Sequence, residues 1–327
     1  MSRERRFGLV LGAGGVLGAA WTIGALCALE EVEGLDVRDA TPIVGTSAGA
    51  VLAALLGAGV SARELRDQQL GRPVRSGPLA GYTYDADRAT GGALPLRPRA
   101  GIGSTRLLMR AVRHPRSITP MAAVSSVLPT GRGSLWTVRH LVDALTPAGA
   151  WSPHPALWVV AMDYDTGRRV AFGREGAPPA ALSDAVLASC SIPAWYAPVA
   201  IDGRRYIDGG TCSPTSVDLL AGLGLDEVYV LAPMTSLEYD EPTSVAARVE
   251  RQFRRTVTRR MLREASKVRA TGTRVTVLGP GRADLTAIGA NLMDPARRAS
   301  VLETSLATSA QALDRARSHG GEVSWSA

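Results

Sequence analysis

Short apolar runs alternate along the chain with longer segments in which apolar residues recur at helical spacing. This alternation predicts an α/β fold in which helices pack on a sheet. The predicted strands are Phe7–Leu11, Ile43–Val44, Leu157–Met162, Val170–Phe172, Val199–Ile201, Tyr206–Ile207, Val228–Leu231 and Arg274–Leu278. The predicted helices are Gly18–Glu30, Ala48–Ala58, Ser183–Cys190, Val217–Gly222, Ser244–Ala270 and Pro295–Arg317.

Two features interrupt or join these elements. Asp202-Gly203 between two strands predicts a hairpin with a two-residue turn. Residues 71–136 are rich in proline, glycine and arginine, and they predict an irregular, lid-like insertion that covers or lines a pocket. We therefore expect one domain over residues 1–327, with a core at about 7–220, this insertion, and a C-terminal helical and strand portion at 221–317.

Composition excludes some kinds of site. The chain of 327 residues has three cysteines and four scattered histidines, which are too few for a disulfide framework or a histidine-rich metal site. We expect no metal, no organic cofactor, and a reduced, cytoplasmic setting. Cys27, Cys190 and Cys212 are then expected to be small core residues.

The N-terminal segment has the length of a membrane span. Residues 7–29 are 23 uncharged residues that follow the basic flank MSRERR. Six of them are glycines, however, and a strand, a glycine loop and a helix ending at Glu30, Glu31 and Glu33 account for the stretch. We expect this second arrangement, in a soluble protein.

A single serine stands between two glycines directly after an apolar run. The stretch GTSAG, in which Gly45 and Gly49 flank Ser47, matches the nucleophile elbow, where a strand turns sharply into a helix and exposes the serine hydroxyl. The same residues also suit an ordinary turn in which Thr46 or Ser47 caps the helix. The pattern by itself leaves both interpretations open.

A glycine loop, LGAGGVLG at residues 11–18, follows the first predicted strand. A dinucleotide-binding loop would need glycine where this chain has Leu17, and an acidic residue at the end of the next strand, which is lacking. In a serine hydrolase such a loop points backbone N–H groups at a developing oxyanion. A tight turn used only for packing is the remaining interpretation.

The third motif is YIDGG at residues 206–210, where Asp208 ends a predicted strand. A serine hydroxyl needs a base within hydrogen-bond reach. Ser47, Asp208 and His319 follow the chain order of an α/β-hydrolase triad, but His319 lies in a polar tail, so Asp208 acting directly on Ser47 is the other option. An aspartate before two glycines is also typical of a simple turn.

Together, these motifs resemble the patatin-like phospholipase family. The resemblance covers FGLVLGAGGVLGAAWTIGALCALEE, PIVGTSAGAVLAAL, ASCSIPAWYAPVAIDGRRYIDGGTCSPTSVDLL and DLTAIGANLMDPARRASVLETS. It implies a three-layer α/β/α fold with a central, mostly parallel sheet, and hydrolysis of lipid acyl esters by a Ser–Asp dyad.

The resemblance also implies roles for individual residues. Ser47 would be the nucleophile and Asp208 its base. The backbone amides of Gly14, Gly15 and Val16 would form the oxyanion hole. The remaining motif glycines are Gly12, Gly18, Gly45, Gly49, Gly209 and Gly210.

The first motif departs from the family pattern at two positions. Ala13 interrupts the run of glycines, and Leu17 stands where the family usually has arginine or lysine. Backbone donors do not depend on side chains, so we expect oxyanion stabilisation to persist. The departures bear instead on electrostatic recognition of a phosphate headgroup, and they favour the alternative of a catalytically inactive lipid- or nucleotide-binding protein on a hydrolase-like fold.

The predicted helix at residues 244–270 is strongly basic. It has eight arginines and Lys267 against Glu250 and Glu264, a net charge of +7 that equals the charge of the whole chain. Apolar residues at every fourth position predict one buried stripe: Val245, Val249, Phe253, Val257 and Met261. The basic face suits peripheral contact with an anionic membrane, or it is simply the solvated side of a core helix. We expect no nucleic-acid partner, because no recognised module accompanies the charge.

Overall fold

The protein is described by a computed structural model that covers residues 5–82, 96–238 and 245–318. Within these ranges, strands β1–β8 are Phe7–Leu11, Ile43–Thr46, Leu157–Asp163, Arg169–Phe172, Val199–Ile201, Arg204–Asp208, Glu227–Leu231 and Arg274–Leu278. Helices α1–α10 are Gly15–Glu33, Ala48–Gly57, Ala62–Gln69, Thr105–Arg113, Pro120–Val127, Trp136–Leu145, Leu182–Cys190, Val245–Arg269, Arg282–Ile288 and Arg298–Ser318.

The strands form one mixed sheet whose central part is parallel. β1 pairs with β2 on one side and with β7 on the other, β3 follows β2, and β8 follows β7, all in parallel. β4 and β6 pair antiparallel with β3, and β5 forms a hairpin with β6. The expected central, mostly parallel sheet is confirmed.

Helices cover both faces of this sheet. On one face, alternate strand residues such as Leu9 and Val159 pack against α1, α2, α7 and α10 in the larger core. On the other face, Val10, Val44 and Val230 pack against residues of α8. Because side chains alternate between the faces of a strand, the continuous apolar runs in the sequence reflect strands that are buried on both sides.

Two strands of the sheet meet end to end. Residues 159–162 of β3 pair with β4 along one edge. A strand residue has neighbours on only two sides, so β2, which pairs as far as Val160, and β6, which pairs from Ala161, share the other edge. β2 runs parallel to β3 and β6 antiparallel, and their carboxyl ends therefore meet with Thr46 opposite Val160 and Asp208 opposite Ala161.

The predicted strands all occur. Three have the predicted bounds, four extend by one or two residues at one end, and β6 extends at both ends of the predicted Tyr206–Ile207. The hairpin is confirmed, since Asp202 and Gly203 both have positive φ, at 47° and 70°, as a type I′ turn requires.

The helix prediction was incomplete. It omitted α3–α6 and α9, each of which buries three residues or fewer, too few to form a clear apolar stripe in the sequence. Residues 71–136 are not irregular throughout, because α4 and α5 lie inside them. The predicted helix from Pro295 to Arg317 is a 3₁₀ turn followed by α10.

The long apolar helix α1 packs inside the molecule. Among the described helices it alone is long and apolar enough to cross a membrane by length and composition. Leu17, Trp21 and Leu29 on this helix are buried in the larger core, and α1 packs along α10. Burial against protein therefore accounts for its apolar composition.

The basic helix α8 packs through a face that differs from the predicted stripe. Val257 and Met261 are buried as expected, but Phe253 is 38% exposed, and the side chains of Val245 and Val249 lie outside the described residues. Arg254 is buried instead, with 1% of its surface exposed. The sequence prediction missed it because an arginine was taken for a solvent-facing residue.

Arg254 ties α8 to the loop after β7. Its guanidinium donates to the backbone oxygens of Pro233 at 2.6 Å and Thr235 at 3.3 Å, and it is paired with Glu250. The Pro233 ring packs on the glycine loop, since a Cβ added to Gly14 would lie 2.7 Å from it. A buried arginine thus supports the back of that loop.

Arg254→Met should lower the free energy of unfolding by about 3 kcal/mol, because two carbonyl oxygens lose a buried donor and Glu250 keeps only Arg251 among its described partners. Urea unfolding followed by circular dichroism would measure the change. Arg259→Met on the same helix is the matched control, and it should change stability by less than about 0.5 kcal/mol because Arg259 is exposed. Equal effects of the two substitutions would contradict a supporting role for Arg254.

Candidate active site

Ser47 lies at the sharp turn between β2 and α2. Its backbone has φ 54° and ψ −123°, a strained conformation for a residue with a side chain. The flanking glycines are required by close backbone packing. A Cβ on Gly49 would lie 2.1 Å from the Leu11 oxygen, and a Cβ on Gly45 would lie 2.5 Å from the Gly49 oxygen. The predicted elbow geometry is therefore present in this chain.

A second serine, which the sequence prediction did not single out, holds this turn in place. The Ser47 N–H donates to the Ser189 hydroxyl at 2.8 Å, and that hydroxyl donates to the Val160 oxygen at 2.5 Å. Ser189 is fully buried on α7. Its place in the segment ASCSIP, which carries part of the family resemblance, was the only indication of this role in the sequence.

Asp208 lies beside Ser47 because β2 and β6 end at the same point of β3. Its carboxylate accepts a hydrogen bond from the Gly210 N–H at 2.7 Å, and the neighbouring Ser47 side chain favours its ionised form. Position 209 requires glycine, because a Cβ there would lie 2.4 Å from the Val160 oxygen. The structure thus brings together the two residues predicted as nucleophile and base.

Burial changes the chemistry of this carboxyl group. Only 6% of the surface of Asp208 is exposed, and the loss of hydration raises its pKa to about 6, against the opposing effects of the Ser47 side chain and the Gly210 N–H. A carboxylate with a pKa near 6 is a stronger base than ordinary aspartate and is still largely ionised at neutral pH.

The glycine loop runs from β1 into α1 on the other side of Ser47. The Gly12 N–H donates to the Leu231 oxygen at 2.9 Å, and the Ala13 N–H donates to the Pro214 oxygen at 2.8 Å. Gly14 caps α1, and Gly15 has φ 63°, which favours glycine. Gly18 completes the loop by packing its backbone on Pro233.

The next three N–H groups of this loop, those of Gly14, Gly15 and Val16, have no acceptor among the described residues. In the described part of the chain, the hydrogen bonds use the amides before and after them but not those of Gly14, Gly15 and Val16. Free N–H groups at the start of a helix are suited to bind a negatively charged oxygen. These are the residues predicted to form the oxyanion hole.

The two departures from the family motif fit the fold. Leu17 is fully buried in the larger core, where a cationic side chain would be costly. Ala13 lies against the third motif, because a Cβ on Gly210 would be 3.5 Å from the Ala13 side chain. Neither substitution removes one of the free backbone N–H groups.

An apolar cavity opens beside Ser47. It measures about 850 Å³ including the solvent at its mouth, and it lies between α1, α2, α3, α6 and α7. Gly15 and Val16 line it next to Ser47, and aliphatic side chains form most of the remaining wall. Representative lining residues are Ile23, Val51, Leu55, Leu65, Val138 and Leu141.

Cys190 also faces this cavity and so is not only a core residue. Its thiol donates to the backbone oxygen of Ser47 at 3.3 Å. Burial raises the pKa of the thiol well above its usual value. Cys190 therefore stays protonated beside the serine and is a poor nucleophile.

Two other sequence predictions concern His319 as an alternative base and the lack of a metal site. His319, the base of the alternative triad, lies outside the described residues. The described ranges contain no group of three or more His, Cys, Asp or Glu side chains placed to hold a metal ion.

The family model described as patatin-like phospholipase matches residues 9–221, well over half of the chain, including Ser47 and Asp208. This chain belongs to the patatin-like phospholipase family. Similar solved structures include VipD from Legionella pneumophila, with 15% identity, a TM-score of 0.46, and coverage of 96% of this chain and 68% of VipD. The type III effector protein ExoU has 18% identity, a TM-score of 0.37, and coverage of 95% of this chain and 53% of ExoU.

In this patatin-like protein, Asp208→Asn should raise the free energy of unfolding above pH 6 by up to about 3 kcal/mol, from the difference between pKa values of 3.8 and about 6. Because folding raises this pKa, the ionised carboxylate destabilises the folded state. The gain should therefore be absent below about pH 4, grow through pH 4–6, and be constant above pH 6.

Urea unfolding at several pH values would measure this gain. Asp202→Asn, at the exposed turn between β5 and β6, is the matched control. A gain from Asp208→Asn that did not depend on pH would contradict the effect of burial on the Asp208 pKa.

Proposed function

We propose that the protein is a serine lipid acyl hydrolase, of the phospholipase A, lysophospholipase or carboxylesterase type, that uses Ser47 and Asp208 as a dyad. Membership of the patatin-like phospholipase family supports lipid acyl hydrolysis as the general activity. The observation that carries the finer proposal is the juxtaposition of Ser47, at the strained turn after β2, and the buried Asp208, at the end of β6, beside an apolar cavity.

In the proposed reaction, the Ser47 Oγ attacks the carbonyl carbon of the ester and Asp208 accepts the hydroxyl proton. The raised pKa of Asp208 favours this transfer, because a stronger carboxylate base takes the proton more readily. The elbow supports the attack by holding the hydroxyl at the start of α2, where the helix dipole favours negative charge. Asp208 then returns the proton to the departing alcohol.

The tetrahedral intermediate carries a negative oxygen that needs donors. The free N–H groups of Gly14, Gly15 and Val16 are proposed to supply them. Such donors are part of the backbone and are fixed before substrate binds, so they need no reorganisation as charge develops. Water next attacks the acyl-enzyme with Asp208 accepting its proton, and Asp208 returns that proton to the Ser47 Oγ as the bond to the acyl carbon breaks and the carboxylic acid leaves.

The cavity wall supports an apolar acyl group as the bound part of the substrate. Aliphatic side chains of α1, α2 and α6 surround the space that adjoins Ser47, and an alkyl chain placed there would leave water. No metal or organic cofactor is needed for the proposed steps.

Other features of the proposal are location and surface contact. We propose a cytoplasmic protein that meets the membrane peripherally, where lipid esters are found. Contact of anionic lipid with the exposed arginines of α8, such as Arg259 and Arg263, stays a prediction. A catalytically inactive lipid- or nucleotide-binding protein remains the competing function.

A fluorophosphonate probe should label the wild-type protein at Ser47, and p-nitrophenyl esters should be hydrolysed. Ser47→Ala should abolish labelling and lower turnover by at least about 1,000-fold, because the nucleophile is lost. Asp208→Asn should lower both to a similar extent, because the serine loses its base. Mass spectrometry of the labelled peptide would identify the modified residue.

His319→Ala is the control for the alternative triad, and it should retain full activity. Loss of turnover in this variant would replace the dyad by a histidine-assisted mechanism. Wild-type protein that binds lipid or dinucleotide but neither labels nor turns over any ester would favour the inactive, ligand-binding alternative.

The pH dependence of kcat/KM should report ionisation of Asp208. Below about pH 6 the rate should fall about tenfold per pH unit, because the protonated carboxyl group cannot accept a proton. Stopped-flow hydrolysis of a neutral p-nitrophenyl ester would give the profile, with circular dichroism at each pH as the control for folding. A profile that stays level from pH 7 to pH 4 would contradict Asp208 as the base.

A further inference from the structure

Exposed apolar side chains are concentrated in one stretch of the chain. Of the nine large hydrophobic residues that are exposed among those the structure describes, eight lie between residues 96 and 136. We call residues 96–136 the interfacial segment. The eight residues are Leu96, Ile102, Met109, Val112, Met121, Val124, Val127 and Trp136.

The helices of the interfacial segment are apolar on two sides. Leu107 on α4 and Ala122 on α5 are buried in a small core with Met162 and Ile207. The opposite sides of the helices present exposed apolar residues three positions apart, which places them on one helix face. These are Met109 and Val112 on α4, and Met121, Val124 and Val127 on α5.

The charge of this segment is of one sign. It has seven arginines and no aspartate or glutamate. The one ion pair described for these arginines is a 4.0 Å contact between Arg106 and Asp165 outside the segment. Six of the seven are exposed, namely Arg97, Arg99, Arg106, Arg113, Arg116 and Arg132.

Two parts of the segment contact loops beside the candidate active site. The Thr119 hydroxyl at the start of α5 donates to the Thr211 oxygen at 2.7 Å, three residues after Asp208. Near its C-terminal end, the Gly133 N–H donates to the Trp195 oxygen at 2.8 Å. Leu135 lines the cavity, while the adjacent Trp136 is 61% exposed.

We propose that the interfacial segment docks the protein on an anionic lipid bilayer and so places the cavity at the membrane surface. The choice of lipid rests on the proposed function, because a lipid ester must leave the bilayer to reach Ser47. Aliphatic side chains of α4 and α5 enter the headgroup and acyl boundary, and the surrounding arginines pair with lipid phosphates. Trp136 occupies the interfacial level that this residue type favours.

The composition of the surface favours lipid over other anionic partners. A nucleic acid would be met by arginines with aromatic side chains for stacking, but seven of the eight exposed apolar residues are aliphatic. The basic helix α8 is the competing lipid surface. Phe253 is its one large apolar residue that is exposed among those described, so the described part of α8 offers charge without a cluster of apolar side chains that can insert.

The test compares the two surfaces by vesicle sedimentation in a Ser47→Ala background, where lipid is not consumed. The vesicles are phosphatidylglycerol with phosphatidylcholine in equal amounts, or phosphatidylcholine alone. Val112→Asp with Val124→Asp should weaken binding to the anionic vesicles at least about tenfold, because two inserting side chains become charged and repel the headgroups. Val112 is 74% and Val124 51% exposed, so the melting temperature should be unchanged.

A matched control carries the same kind of change on α8. Phe253→Asp with Arg259→Glu should bind the anionic vesicles within about twofold of the parent protein. Arg113→Glu with Arg116→Glu in the interfacial segment should remove most of the preference for anionic over neutral vesicles, and added salt should have the same effect.

Three results would overturn the proposal. The first is unchanged vesicle binding by the Val112 and Val124 variant, and the second is loss of binding in the α8 control instead. The third is a concentration-dependent dimer, detected without lipid by analytical ultracentrifugation and abolished by the same variant, which would show that a second copy covers this face.

Turnover separates this proposal from the proposed function. With Ser47 restored, the Val112 and Val124 variant should hydrolyse a soluble p-nitrophenyl ester within about twofold of wild type while losing hydrolysis of vesicle lipid. If wild-type protein binds vesicles through this segment but hydrolyses no ester, the docking surface stands and the enzymatic proposal fails.

Discussion

The meeting of β2 and β6 on one edge of β3 is the constraint on which the site depends. Thr46 ends one strand opposite Val160, and Asp208 ends the other opposite Ala161. Both strands must stop there, because neither can extend without displacing the other. Ser47 therefore has to leave the sheet in a sharp turn, and the carboxyl group of Asp208 is enclosed beside it. The strained backbone of the serine and the raised pKa of the aspartate have this single geometric cause.

Such a site is stabilised by its surroundings rather than by its own residues. Strain at Ser47 and an ionised, buried carboxylate both oppose folding. The opposing stabilisation comes from hydrogen bonds around the site, such as those of Ser189 and Arg254, and from the large core between the sheet and α1. An elbow of this kind can persist only because the surrounding packing leaves it no relaxed alternative.

Residue patterns were sufficient to predict the strands, and the family resemblance was needed to predict that Ser47 and Asp208 lie together. Buried parallel strands are continuous apolar runs, and the turns beside them need glycine because backbones approach closely, as at Gly49. Ser189 could not be predicted as a supporting residue, since a serine in a helix has no pattern that reveals its partner. The shape of the cavity could not be predicted either, because its wall combines side chains of five helices spread over residues 15–190.

Counting charged residues along the sequence could not show which charges are exposed at the surface, as α8 illustrates. Residues 244–270, which include α8, and the interfacial segment each have a net charge of +7. The two segments do not, however, expose their charge to solvent equally. In α8, Arg251 and Arg254 are buried and paired with Glu250, so part of the charge holds the helix to the protein. The interfacial segment has no acidic residue, and it exposes apolar side chains between its arginines. Charge that is already neutralised inside the fold cannot attract a membrane, and on that ground the less regular segment is the better lipid surface.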